Sequence, residues 1–260
     1  MSVIKFNGSA PDKVMFNGSE VDKIMFNGSP FVMNDDHTII LLHFEDDYVN
    51  GRITDARGND FVRNNSNASI ETGRYKFGSK SGLWIGTSYT NLQIPTQSLN
   101  FSSSDFTIDF WVYLNETNGR KCPFSLGLSN VSGLAIDIYE ITPRMWFAHP
   151  TQADKWLIGG EDYTYSGASR ISISAGTWNH LAMVRNGGNV SLYVNGQVGC
   201  SVNIGNVSLK NIGNLGAQCG LGIWGVKGNQ YSLNGYIDEF RITDNAAWTS
   251  AFTPPNEPYV

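Results

Sequence analysis

His180-Leu181-Ala182-Met183-Val184-Arg185-Asn186-Gly187-Gly188-Asn189-Val190-Ser191-Leu192-Tyr193-Val194-Asn195-Gly196 holds two short extended runs, each closed by Asn-Gly. Neither run carries an apolar repeat at helical spacing, and both are short enough to be strands. Asn-Gly is the strongest short-range turn signal, because both residues tolerate positive φ. The stretch therefore reads as strand, turn, strand, turn.

The same rhythm continues outward. Alternating or apolar segments occupy residues 38–44, 83–85, 91–94, 105–114, 134–139, 144–149, 156–158, 170–173, 212–215, 221–224 and 235–242. Turn residues separate nearly all of them, including Asn118-Gly119. No window sustains a helical period. The pattern predicts an all-β chain, folded as an antiparallel β-sandwich or jelly roll. The irregular end, Phe252-Thr253-Pro254-Pro255-Asn256-Glu257-Pro258-Tyr259, is expected to wrap the outside.

A second pattern stands at the start. Phe6-Asn7-Gly8-Ser9, Phe16-Asn17-Gly18-Ser19 and Phe26-Asn27-Gly28-Ser29 recur every ten residues, with Asp12-Lys13 echoed by Asp22-Lys23. Ten residues are too few for a helical repeat unit. They suffice for one extended strand and one tight turn, with Ile4/Phe6, Val14/Phe16 and Ile24/Phe26 on one strand face. A ribbon with one thin apolar face and open edges needs a partner surface. Residues 1–33 are therefore expected to form an attachment and oligomerisation arm, and residues 34–260 the sandwich.

The 260 residues carry a net charge of -5 and only 16% charged side chains. No basic run appears, which argues against nucleic acid as a partner. No apolar stretch approaches a membrane span, and the start lacks the apolar core of a signal peptide. Assembly in a cytoplasm is the expectation. Three cysteines, Cys122, Cys200 and Cys219, are too few for a disulfide framework, although a Cys200–Cys219 bridge is geometrically conceivable.

Four stretches in order resemble the laminin-G-like family within the concanavalin A-like lectin/glucanase superfold. They are His37 to Phe44 with Asp55-Ala56-Arg57-Gly58-Asn59, Asp105 to Tyr113, Gly176 to Gly196, and Gly235 to Ile242 ending in Phe252-Thr253-Pro254-Pro255. The resemblance spans roughly residues 36–260 and implies a laminin-G/concanavalin A-like jelly roll. It places Trp111 and Trp178 in the core, gives Trp248 a packing role, and makes His43 and His180 satisfied core groups. A repeated Asn-Gly leader before such a domain is similar to phage virion proteins: tail fibres, head fibres and capsid decorations. That likeness implies a homo-oligomer, a trimer first, held on capsid or tail proteins at the virion surface.

Such sandwiches host lectins, hydrolases and spacers, so function must be argued from a site. Related glycosidases place Glu, Asp and Glu along one strand; the nearest match here is Ala135-Ile136-Asp137-Ile138-Tyr139-Glu140. Ala135 stands where the nucleophile would be, which removes the retaining mechanism. The chain is therefore expected not to be an enzyme, with a degenerate hydrolase as an alternative. Calcium is the one cofactor the family suggests, and Asp46, Asp55 and Asp238 are its candidate ligands if the first and last strands are neighbours. Otherwise no cofactor is expected.

Sugar recognition fits better, since flat aromatic faces with neighbouring polar groups stack on a pyranose while its rim stays wet. Trp146, His149, Trp156, Asp162, Tyr163, Tyr165 and Trp224 concentrate such groups. The expected function is a non-enzymatic virion surface protein whose sandwich binds a host-surface or environmental glycan. A ligand-free capsid cement is the structural alternative.

Overall fold

In a computed structural model the described residues are 15–16, 19–20, 24–26, 29–31, 37–63, 68–86, 92–95, 99, 101–128, 132–152, 155–159, 164–209, 220–224 and 231–260. The chain divides into two compact units, Met1–Asp36 with Val260, and His37–Tyr259.

In the first unit, β1 (Met15–Phe16) pairs with β2 (Ser19–Glu20), and β3 (Ile24–Phe26) with β4 (Ser29–Phe31), both antiparallel. Phe16 lies opposite Ser19 and Phe26 opposite Ser29. Two residues separate each pair, the spacing of the tightest hairpins. These two copies of the repeat are thus each a hairpin with a strand on either side of Asn-Gly, rather than one strand and a turn. Phe6, Asn7, Gly8, Asn17, Gly18, Asn27 and Gly28 lie outside the described residues.

The second unit contains β5 (Thr38–Leu42), β6 (Arg52–Thr54), β7 (Asp60–Arg63), β8 (Ala68–Glu71), β9 (Ser81–Ile85), β10 (Leu92–Gln93) and β11 (Phe106–Leu114). It continues with β12 (Arg120–Leu128), β13 (Ser132–Tyr139), β14 (Thr142–Ala148), β15 (Trp156–Gly159), β16 (Tyr165–Ser166) and β17 (Trp178–Asn186). It ends with β18 (Asn189–Val194), β19 (Gln197–Asn203), β20 (Gly220–Leu221) and β21 (Asn234–Thr243). No helix occurs among the described residues.

One sheet has nine strands in the order β16-β15-β14-β13-β12-β20-β10-β7-β6. The other runs β19-β18-β17-β11-β21-β9-β8, with β5 also on β21. The hairpin quoted first is β17–β18, turned at Asn186 opposite Asn189. The first strand of the unit, β5, does lie beside the last, β21. Residues 170–173, expected as a strand, are irregular: the Arg170 and Ile173 amides donate to the carbonyls of Gly199 and Ile141. Residues 212–215 fall outside the described set.

Alternation decides what each strand buries. On β11, Phe106, Ile108, Phe110, Val112 and Leu114 enter the core between the sheets. Phe110, Phe124 and Phe240 meet there from three strands, with ring centroids 5.8–6.4 Å apart. Two bulges reset the alternation. On β21, register slips between Asp109 and Trp111 of β11, and Glu239 takes a φ of 51°. Ile237 and Phe240, three apart, therefore both point inward. On β12, the slip between Lys121 and Phe124 turns Phe124 and Leu126 inward but leaves Cys122 on the outer face.

Candidate functional site

The two outer faces of the sandwich differ, and the difference locates the site. On the eight-stranded sheet the outward residues Asp109, Trp111, His180 and Asp238 are buried by chain segments laid over them. Residues 74–80 cover one part. The Lys76 and Phe77 amides donate to Asp238 at 2.7 and 3.2 Å, and the Lys76 ammonium sits 3.9 Å from the Trp111 ring. The C-terminal segment covers another, as its irregular sequence leads one to expect. Trp248 and Phe252 stack at 3.9 Å and pack on Ala182, Val184 and Tyr193. Tyr259 donates its hydroxyl to Asp109 and its amide to Glu239. Trp111 is thus buried, as expected, but under a loop rather than between the sheets. Trp178, expected in the core, lies only half-buried beside Tyr113.

Both histidines find carboxylate partners, although His43 keeps 28% of its side chain exposed and the buried His180 Nδ1 has no partner among the described residues. His180 Nε2 lies 3.2 Å from Asp109 Oδ2, and His43 Nδ1 lies 2.9 Å from Glu239 Oε1. The bond to Glu239 raises the His43 pKa above its ordinary value. Burial would raise Asp109, but Arg241 and the bonds from His180 and Tyr259 hold it below the usual carboxylate value.

The nine-stranded sheet presents something else. Asp137, Arg144 and Trp146 project outward from β13 and β14, while Met145 and Phe147 enter the core. Asp137 is 0% exposed and accepts from Arg144 Nε at 2.9 Å, Arg144 Nη2 at 2.6 Å, Trp146 Nε1 at 2.9 Å and Arg120 Nε. The Arg120 guanidinium packs on three rings, 4.8 Å from Trp146, 4.2 Å from Trp224 and 4.2 Å from Tyr231. Trp146, Trp156 and Trp224 meet pairwise at 5.1–5.5 Å. Cys122 and Ala135 floor the cluster. Burial pushes the Cys122 thiol well above its ordinary pKa, so it stays protonated and unreactive.

Three sequence candidates, Trp146, Trp156 and Trp224, are therefore brought together. Trp146 and Trp224 are only 4% and 7% exposed, whereas Trp156 and Tyr231 are partly open to solvent. His149 stands apart: its Nδ1 accepts the Thr151 and Gln152 amides at 3.3 and 3.0 Å, a turn cap between β14 and β15. Tyr165 is exposed on edge strand β16, outside the cluster. Asp162 and Tyr163 lie outside the described residues. Arg120 and Arg144, not singled out from the sequence, complete the site together with Tyr231.

The three carboxylates offered for calcium are not gathered into one ligand set. Asp55 turns inward and spends both oxygens on the Leu41, Arg57 and Asn59 amides and the Asn59 side chain. Asp238 is committed to backbone amides, and burial pushes its pKa up to about 7. Asp46 and Asp55 line a cavity of about 190 Å³ with His43, but Asp238 does not. Among the described residues no three His, Cys, Asp or Glu side chains could hold a metal ion. Cys200 is a free thiol donating to the Gly167 carbonyl, and Cys219 lies outside the described residues. No helix among the described residues is long and apolar enough to cross a membrane.

Two facing sheets, antiparallel but for the β15–β16 pair, define a concanavalin A-like jelly roll. The chain belongs to the concanavalin A-like lectin/glucanases superfamily, whose laminin-G-like model matches residues 86–250. Its fold is similar to domain 4 of AbnA, a GH43 extracellular arabinanase from Geobacillus stearothermophilus, solved with arabinotriose. The TM-score is 0.55 at 18% identity, over 81% of this chain and 93% of that one. It is also similar to the binding domain of botulinum neurotoxin serotype G (TM-score 0.56, 18% identity, 81% of this chain, 48% of that one). Trypanosoma rangeli sialidase in complex with sialic acid matches at 0.56 and 14% identity, over 86% and 33%. No curated protein sequence matches the chain.

Proposed function

We propose that this chain is a non-enzymatic glycan-binding protein of a bacteriophage surface, anchored and trimerised by its N-terminal hairpin repeats. The observation that carries the reading is the gathering of Trp146, Trp156 and Trp224 on the nine-stranded face, while chain segments bury the central residues of the other. The partly open rings of Trp156 and Tyr231 offer a sugar its stacking surface. A similar domain holding arabinotriose supports a glycan as the ligand class.

Catalysis by the sequence's nearest glycosidase match is disfavoured by position. Asp137 is sealed from solvent by two arginines, and Glu140 sits at the β13–β14 turn with a φ of 56°. The virion role rests on the ten-residue repeats, since near-identical hairpins have no reason to match unless they meet equivalent partners.

The test is a glycan array probed with the full chain and with Trp156→Ala. Binding lost in the folded variant supports the reading. Absence of binding in the parent chain favours the ligand-free capsid cement, which the burial of Trp146 and Trp224 also suits.

A further inference from the structure

Among the described residues the charge on this face does not balance. Two guanidinium groups, Arg120 and Arg144, share the single carboxylate of Asp137. Among the described residues neither arginine pairs with a second acid. Asp137 is 0% exposed, but the Arg120 and Arg144 side chains keep 18% and 13% of their surface. The surplus positive charge therefore borders solvent, while the negative one does not. Arg120 Nη2 is also buried without a hydrogen-bond partner. A donor left unpaired in low dielectric is costly, and a net charge beside three indoles is poorly screened.

The surplus charge at the solvent border is a feature a monoanion would correct. Guanidinium groups match carboxylates in plane and in donor spacing, and remain charged at every working pH. The half-exposed Tyr139 ring (49%) and the open edges of Trp156 and Tyr231 supply apolar surface around the same spot. Arg144 lies 5.1 Å from the Tyr139 ring and 5.5 Å from the Trp146 ring, on which Trp156 packs.

We infer that the ligand of this face is an acidic glycan, whose carboxylate meets Arg144 and Arg120 while its ring stacks on Trp156 and Tyr231. The inference rests on the glycan-binding reading above and adds the charge of the sugar. Uronic and sialic acids share this chemistry, and the test separates them.

The experiment titrates the full chain with polygalacturonate, its fully methyl-esterified form, polysialic acid and a neutral galactan. Binding to one or both acidic polymers should exceed binding to the ester and to galactan by about 10- to 100-fold, the range of one charge-assisted contact. It should also weaken with added salt. Whichever acidic polymer binds identifies the source of the carboxylate. Arg144→Gln should abolish the preference and Arg144→Lys restore part of it, with circular dichroism reporting the fold. The acid-against-ester comparison on the parent chain needs no variant to fold. Equal binding to acid and ester, or binding to galactan alone, overturns the inference and leaves glycan binding standing. No binding to any of the four overturns both.

Discussion

The indole N–H of Trp146 donates to Asp137 at 2.9 Å, so the aromatic cluster and the buried charges are one structure. Trp146→Phe should keep an aromatic ring in the cluster, though a smaller one, and remove that donor from a carboxylate with 0% exposure. The expected cost is about 1.5–3 kcal/mol in urea unfolding. Trp146→Ala should cost about 3–5 kcal/mol. The alternating strand pattern suggests that Trp146→Ala weakens binding without unfolding; its burial reverses that expectation. Trp156→Ala, at a partly open ring, should instead lose binding with little change in stability.

Asp137 offers a direct test of its role. Asp137→Asn leaves Arg120 and Arg144 mostly buried with no counter-charge, and should destabilise by about 3–5 kcal/mol. A structural triad predicts that loss in thermal melts with no glycan present. A variant that melts like the parent would show that the triad does not hold the face together.

Stability should peak in mildly acid solution. Burial raises Asp238 to about 7, so its contribution is full below the ordinary carboxylate value and is lost as pH rises through about 7. His43, raised by its bond to Glu239, behaves alike: its contribution is full below 6.5 and fades as pH climbs past its raised value. Asp109 and Glu45 are lowered, so their contributions hold above the usual carboxylate range and fail as pH falls. Denaturation curves from pH 4 to 9 should therefore fall off on both sides. The alkaline slope approaches about 1.4 kcal/mol per pH unit for each proton lost. Asp238→Asn should flatten that limb; an unchanged slope would assign it to other groups.

The C-terminal strap is a load on the opposite sheet. Tyr259→Phe removes the hydroxyl from Asp109 and should cost about 1–3 kcal/mol, leaving Arg241 and His180 as that carboxylate's partners. Phe252→Ala breaks the stack on Trp248 and should cost about 3 kcal/mol or more. Both variants should keep glycan binding, because they alter the other face. Loss of binding in a folded Tyr259→Phe protein would place the ligand on the wrong sheet.

Much of this architecture was legible because alternation is a local property. The runs over β11, β13, β17 and β21 announce themselves, as do the Asn-Gly turns that close β17 and β18. What stayed hidden was hidden by bulges and by distant cover. Lys121-Cys122-Pro123-Phe124 breaks the alternation of β12, since proline suits a strand only at an edge or bulge. With β12 unread, Arg120 had no reason to be noticed, nor did the charge triad. Trp146 sits on an outward position and reads as exposed, but Arg120 of β12 and the rings of Trp156 and Trp224 pack over it. Asp238 reads as a candidate ligand because the loop that consumes its oxygens lies 162 residues away in sequence.

The repeats yield the last prediction. β1–β2 and β3–β4 are separate two-stranded hairpins, and isolated two-stranded ribbons are marginal in water. Their open edges make pairing with neighbouring copies the natural way to stabilise them. Residues 37–259 form a compact unit of their own, with a core drawn from both sheets. A chain lacking residues 1–36 should therefore melt at the same temperature as the full chain's sandwich. Light scattering should find it monomeric while the full chain is a trimer or another homo-oligomer. The change should also weaken binding to multivalent glycan surfaces by about two orders of magnitude or more, since avidity multiplies modest single-site affinities. The same number of copies per particle in both chains would leave the repeats without an assembly role. A truncated chain that still assembles on particles would move the attachment surface to the sandwich.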